Sequence, residues 1–262
     1  MRFLYAVEDS RQLHTYQIAA QRLQPRLEAY IRFLKAEYAV EELPRALVLT
    51  SLETATELLS GIPVPAYTNE YRVMFCPDPD VWRSIWLRQL DGLEGETAEE
   101  VRAYYETAVN DDRLLSILGH ELAHHIEMFP DFDDGDAREA GIWFEEGMVE
   151  YIGRRYFLTE EAFAREARVN RLLVELLENR YGGHSLEDFG TSTYEGDYAS
   201  IFFEYWRSFL AVNELVNRFG SVKEVFRSYQ EWAKNPGGQT LEEWFDQGNQ
   251  FMKCRNTIGE GN

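Results

Sequence analysis

The sequence predicts an α+β protein that is mainly helical, with a small sheet near the N-terminus and a helical C-terminal lobe. Three observations carry this expectation. Apolar residues recur at helical spacing through almost all of the chain beyond Val81. Before that point only residues 46–50 and 71–75 show the continuous or alternating apolar pattern of a strand. A chain of 262 residues that is 45% hydrophobic has enough apolar surface to bury a substantial core. The expected organisation is an N-terminal helical segment over 1–40, a small sheet with one central helix over 41–130, and a helical lobe over 131–262, all in one compact unit.

Taken in order, residues 1–9 are a short apolar start that Glu8 and Asp9 interrupt, which does not fit a secretory signal. No later apolar run approaches the roughly 20 residues that span a bilayer, and the expected location is the cytoplasm. Residues 10–38 read as helix, with Leu13, Tyr16, Ile18, Leu23, Leu27, Tyr30, Ile31 and Leu34 on a broad apolar face and Pro25 placed to kink or split it. Ala46 to Thr50 reads as a buried strand, and 52–59 as a brief helix closed by Gly61. The stretch 62–67 holds too much proline for a central strand, whereas 71–75 alternates as a strand should until Pro77 ends it.

Residues 91–97 read as a loop, and Thr97 with Glu100 as a capping box for the next helix. A helix over 111–128 follows, with Leu114, Leu118, Leu122 and Ile126 forming an apolar stripe. Residues 130–135 form an acidic turn; Asp131, Asp133, Asp134 and Asp136 lack the spacing of a calcium loop. Helices are expected over 137–157, from a Thr159 cap to Tyr181, and, after the Gly182-Gly183 break, over 197–219, 222–233 and 241–252.

The charge balance narrows the function. Asp and Glu number 46 against 26 Lys and Arg, a formal net charge of −20, which opposes nucleic acid or an anionic membrane as partner because both need a positive footprint. The two cysteines, Cys76 and Cys254, read as free thiols of a reducing compartment.

The chemistry concentrates in His120-Glu121-Leu122-Ala123-His124. Helical residues four apart share a face, so His120 and His124 can offer two imidazoles to one metal ion, on the side away from the Leu114 stripe. Zinc takes imidazole readily and keeps a position open for water when the protein supplies three ligands. Glu121 stands where its carboxylate can accept a proton from that water. A third ligand is then required. The segment Trp143-Phe-Glu-Glu-Gly-Met-Val-Glu-Tyr151 supplies Glu145, Glu146 and Glu150, and 21 residues separate His124 from Glu146. His125 faces away from the pair, and His184 reads as a loop histidine.

HELAHH followed by WFEEGMVEY resembles the gluzincin zinc metallopeptidases, the group that includes thermolysin and the M1 aminopeptidases. A metzincin would need glycine at 127 and histidine at 130, where this chain has Glu127 and Pro130. The resemblance covers about residues 111–233 and implies a thermolysin-like catalytic domain. It implies that Glu146, directly before the glycine, is the third zinc ligand; Glu145 and Glu150 are the competitors, and Glu150, one turn on, could instead partner a ligand histidine. It also implies a tyrosine that hydrogen-bonds the developing oxyanion. Tyr205 stands fifteen residues before Gly220, as that layout requires, and Tyr194 and Tyr198 are the alternatives. The aminopeptidase G-x-M-E-N segment is absent from the chain. The implied activity is hydrolysis of peptide bonds in a peptide or protein substrate. Zinc would lower the pKa of its water, Glu121 would act as general base, and residues 66–75 would pair with the extended substrate. Two other readings use the same residues: a zinc-stabilised peptide-binding or regulatory protein without catalysis, and a zinc hydrolase of a non-peptide amide or ester.

Overall fold

Four short strands and the helix that links the first two build the N-terminal part of the protein. The computed structural model describes residues 1–59, 64–129, 141–234 and 237–247. Strands β1 (Arg2–Ala6), β2 (Ala46–Thr50), β3 (Ala66–Thr68) and β4 (Arg72–Phe75) form one sheet in the order β1-β2-β4-β3. β1 and β4 both run parallel to β2, with Leu4 opposite Val48 and Val48 opposite Met74. β3 is antiparallel to β4, with Tyr67 opposite Met74. The proline-bearing stretch before β3 thus leads to a sheet edge, where a missing N–H is tolerated. The sequence reading places residues 1–40 in a helical segment, yet Arg2–Ala6 is a strand. It is an edge strand, partly exposed along its length, so its apolar pattern is faint.

Parallel pairing of β1 and β2 needs a crossover, and α1 (Ser10–Glu37) is that crossover. The Asp9 carboxylate caps it by accepting from the N–H groups of Arg11 and Gln12. Pro25 does not split α1. Both Pro25 and Gln21 are exposed, so the Gln21 carbonyl that loses its helical partner faces water. The brief helix after β2 is present and includes a π-helical stretch, Thr54–Leu58; Gly61, expected to close it, lies outside the described residues.

The remaining elements are helices: α2 (Pro79–Arg88), α3 (Glu96–Ala108), α4 (Asp111–Ala123), α5 (Ile142–Phe157), α6 (Glu160–Tyr181), α7 (Tyr198–Phe219) and α8 (Val222–Lys234). Residues 241–247 are helical as well, and 248–252 lie outside the described residues. The protein is therefore α+β and mainly helical. Among the described residues no helix is long and apolar enough to cross a membrane.

Two boundaries depart from the sequence reading. α3 begins at Glu96 behind Gly95, whose φ of 106° suits glycine, so Thr97 lies inside the first turn and makes no capping box with Glu100. α4 stops at Ala123 rather than Met128. The chain tightens there, with His125 N–H donating to the Leu122 carbonyl and Ile126 N–H to that of Ala123. Beyond this end the His125 ring meets the Thr68 hydroxyl of β3 at 2.8 Å. The Thr159 cap is as expected, its hydroxyl accepting from the Ala162 N–H. The acidic turn over 130–135, with Asp131, Asp133, Asp134 and Asp136, and the expected helix start at 137 lie outside the described residues.

α5 occupies the middle of the core, and glycines let its neighbours approach. A Cβ on Gly153 would stand 2.7 Å from the Ser116 carbonyl and 2.8 Å from the His120 nitrogen, both on α4. A Cβ on Gly147 would stand 2.3 Å from the Ser208 carbonyl on α7. α4 and α5 run antiparallel, since Ser116 meets Gly153 while His124 meets Glu146. Leu114, Leu118, Leu122 and Ile126 are all buried, as their spacing predicts. A polar knot lies in the same core. Glu166 of α6, fully buried, accepts from Tyr104 of α3 and pairs with Arg113 of α4 at 2.5 Å.

Two predictions follow from this packing. Gly153→Ala forces the α4 and α5 backbones apart and should cost about 1–3 kcal/mol in chemical denaturation, as overpacked core sites do. Burial raises the Glu166 carboxyl, but Arg113 and Arg154 outweigh it and hold the group below the ordinary range. Its stabilisation is therefore present above the unfolded carboxylate pKa and lost as pH falls through the folded value. Glu166→Gln should cost about 3–5 kcal/mol at neutral pH by leaving arginine unpaired. In denaturation series the gap to the unaltered protein should close in acid.

Candidate metal centre

The α4–α5 crossing brings the motif histidines against α5. His124 is the residue just past the end of α4, but its φ of −60° and ψ of −15° keep it in helical conformation, so it still shares a face with His120. The two Nε2 atoms stand 3.2 Å apart. From α5, Glu146 Oε2 lies 3.4 Å from His120 Nε2 and 3.6 Å from His124 Nε2. Zinc bonds of about 2.0–2.1 Å at tetrahedral angles separate neighbouring ligand atoms by about 3.3–3.4 Å. The three atoms thus have the spacing of one face of such a tetrahedron. Among the described residues this is the group of histidine and carboxylate side chains whose ligand atoms converge.

Polar satisfaction points the same way. Glu146 Oε2 is buried without a hydrogen-bond partner, a costly state for a carboxylate oxygen unless a proton or a cation meets it. Burial lowers the pKa of His120, but Glu146 and Glu150 more than reverse it and leave the ring well above its ordinary value. His124 is pushed down to about 4, mainly by burial. The donor set is therefore two imidazoles with opposite shifts and a carboxylate held below its ordinary range by the two histidines despite its burial.

The neighbouring glutamates separate by geometry. Glu145 turns away and accepts from the Tyr229 hydroxyl at 3.1 Å. Glu150 meets the other nitrogen of His120, Nδ1, at 3.4 Å, and is itself paired with Arg154 at 2.6 Å. Glu121 is buried and lines the cleft beside His120. Burial raises its carboxyl to about 8, with His120 opposing and Glu146 and Glu150 adding to the rise.

Of the three tyrosines singled out in the sequence, two reach the centre. The Tyr194 hydroxyl donates to Glu146 Oε1 at 3.2 Å and meets the Tyr205 hydroxyl at 2.9 Å. The Tyr205 ring lies 5.8 Å from that of His120. Tyr198 is elsewhere, stacked on Phe202 and facing a cleft beside Tyr16 and Arg88. His125 bonds to Thr68, and His184 pairs with Glu204 at 2.7 Å, so neither joins the centre.

A partly open cleft lies on the His120 side of the centre. Trp82, Trp86, Phe202 and Trp206 contribute aromatic walls, Ala66 of the edge strand forms one rim, and Arg113 and Arg154 also line it. The sequence reading missed these two arginines. For Arg154 a signal existed, because it stands one helical turn beyond Glu150.

A direct measurement follows. Equilibrium dialysis against zinc should load one ion per chain, and His124→Ala or Glu146→Ala should abolish loading. Metal removal should lower thermal stability, since free zinc at 100 times its Kd adds about 2.7 kcal/mol. No family model, curated protein or solved structure matches this chain, so its functional reading rests on the arrangement of these residues.

Proposed function

We propose that this chain is a cytoplasmic zinc metallopeptidase of the gluzincin type with a thermolysin-like arrangement of its catalytic elements. The observation that carries the reading is the convergence of His120 Nε2, His124 Nε2 and Glu146 Oε2 within 3.2–3.6 Å of one another, with Glu121 buried at their side. Zinc, when bound there, supplies a Lewis acid and a water whose pKa is near neutrality.

The chain's own residues supply the rest. Glu121 is the group that accepts a proton at its carboxylate and returns it to the leaving amine. The Tyr205 hydroxyl donates to Tyr194, whose own proton goes to Glu146, and would turn that proton to the charge that develops on a scissile carbonyl oxygen. Tyr194 holds Glu146 Oε1, which leaves Oε2 turned to the histidines. The outer edge of β3 offers unpaired backbone groups to an extended peptide, and the aromatic walls of the cleft suit a large apolar side chain.

Glu121→Gln tests the reading. Cleavage of a peptide library should fall by about 10²–10⁴-fold, the usual contribution of a general base, while zinc stays at one equivalent. Undiminished cleavage by the variant would remove Glu121 from the mechanism. Bound zinc with no cleavage by either protein would remove peptides as the substrate.

A further inference from the structure

The two nitrogens of His120 face different carboxylates. Nε2 joins the centre, while Nδ1 faces Glu150 at 3.4 Å. Glu150 is not held by its own helix alone. Its other oxygen pairs with Arg154 Nε at 2.6 Å, and Arg154 Nη1 donates to Asn170 Oδ1 of α6 at 2.6 Å. Asn170 Nδ2 donates in turn to Glu166, which lies 3.7 Å from Arg154 and 2.5 Å from Arg113. The Arg154 guanidinium also stacks over the face of Phe209 on α7 at 4.2 Å. A buried chain of alternating charge therefore runs from α6 to the back of a metal-ligating ring.

Such a chain is a poor way to stabilise a core. Removing four charged groups from water costs several kcal/mol each, and apolar residues of similar volume commonly serve as well or better. What the chain provides is direction. Arg154, held by Asn170, Glu166 and Phe209, takes one Glu150 oxygen and leaves the other facing His120 Nδ1, a buried nitrogen 3.4 Å away with no hydrogen-bond partner. A carboxylate on the distal nitrogen fixes the tautomer and rotation of a ligand imidazole.

We propose that Arg154 is a positioning residue of the metal centre, anchored by Asn170 and Glu166 and acting on His120 through Glu150. This rests on the metal-centre reading above. The same contacts would also exist in a knot whose sole role is structural, and zinc affinity separates the two.

The test is a double-mutant cycle on the full chain, read as the zinc Kd by competition with a chromophoric chelator, beside thermal unfolding of the metal-free proteins. Arg154→Lys keeps a buried charge but cannot bond Glu150 and Asn170 together. It should weaken zinc binding by about 10–100-fold, as Glu150→Gln should. The double variant should be no weaker than the weaker single, because both changes break one path. Asn170→Ala, which leaves no ion unpaired, should weaken zinc by a smaller factor and covers the case in which Arg154→Lys fails to fold. Leu177→Ala, a cavity elsewhere on α6, should lower the unfolding temperature and leave the zinc Kd unchanged. Unaltered zinc affinity in Arg154→Lys, additive effects in the cycle, or equal weakening by Leu177→Ala would overturn the proposal. An unaltered protein that binds no zinc would overturn the metal-centre reading along with it.

Discussion

The close crossing of α4 and α5 at Gly119 and Gly153 is the constraint on which the rest of the centre depends. A Cβ on Gly119 would stand 3.1 Å from the Gly153 Cα, so the two backbones nearly touch at this point. Side chains one turn either way along an antiparallel pair then meet at short range, which is how His120 reaches Glu146 and Glu150 without long, flexible ligands. The same crossing is held from outside: the Tyr30 hydroxyl of α1 donates to the Gly119 carbonyl at 3.0 Å, and Gly147 lets α7 close on the far side of α5. The sheet, the crossover helix and the C-terminal lobe brace one helical pair.

Electrostatics then sorts groups of similar composition into different roles. Glu121, Glu146, Glu150 and Glu166 are all carboxylates in the same core. Glu146 and Glu150 are drawn below the ordinary range by histidine and arginine neighbours, and Glu166 by two arginines. Glu121 lies with burial and like charges around it and is pushed up instead. Position relative to two arginines and two imidazoles thus gives four like carboxyl groups different charge preferences.

Much of this was readable in the sequence, and the limits have physical causes. The helices over 10–37, 160–181 and 198–219 are long and periodic, and the Thr159 cap is local side-chain chemistry that sequence displays directly. The convergence of His120, His124 and Glu146 was readable because the two histidines lie four apart on one helix and the glutamate on the next described one. β1 is faint in the sequence because an exposed edge strand needs little apolar pattern, and the end of α4 at Ala123 falls where the apolar spacing continues to Ile126. The anchoring of Glu150 depends on Asn170 and Glu166 from another helix, and no local pattern announces such a partner.

The early end of α4 has an electrical consequence. Peptide dipoles aligned along a helix sum to about half a negative charge at its C-terminus, and the effect fades within a turn. Because α4 ends at Ala123, that terminus lies beside His124, at the point where the three ligand atoms converge. Had the helix run on to Met128, the same partial charge would have sat more than a turn away. The end of α4 thus places the negative end of its dipole beside His124, a field that favours positive charge there.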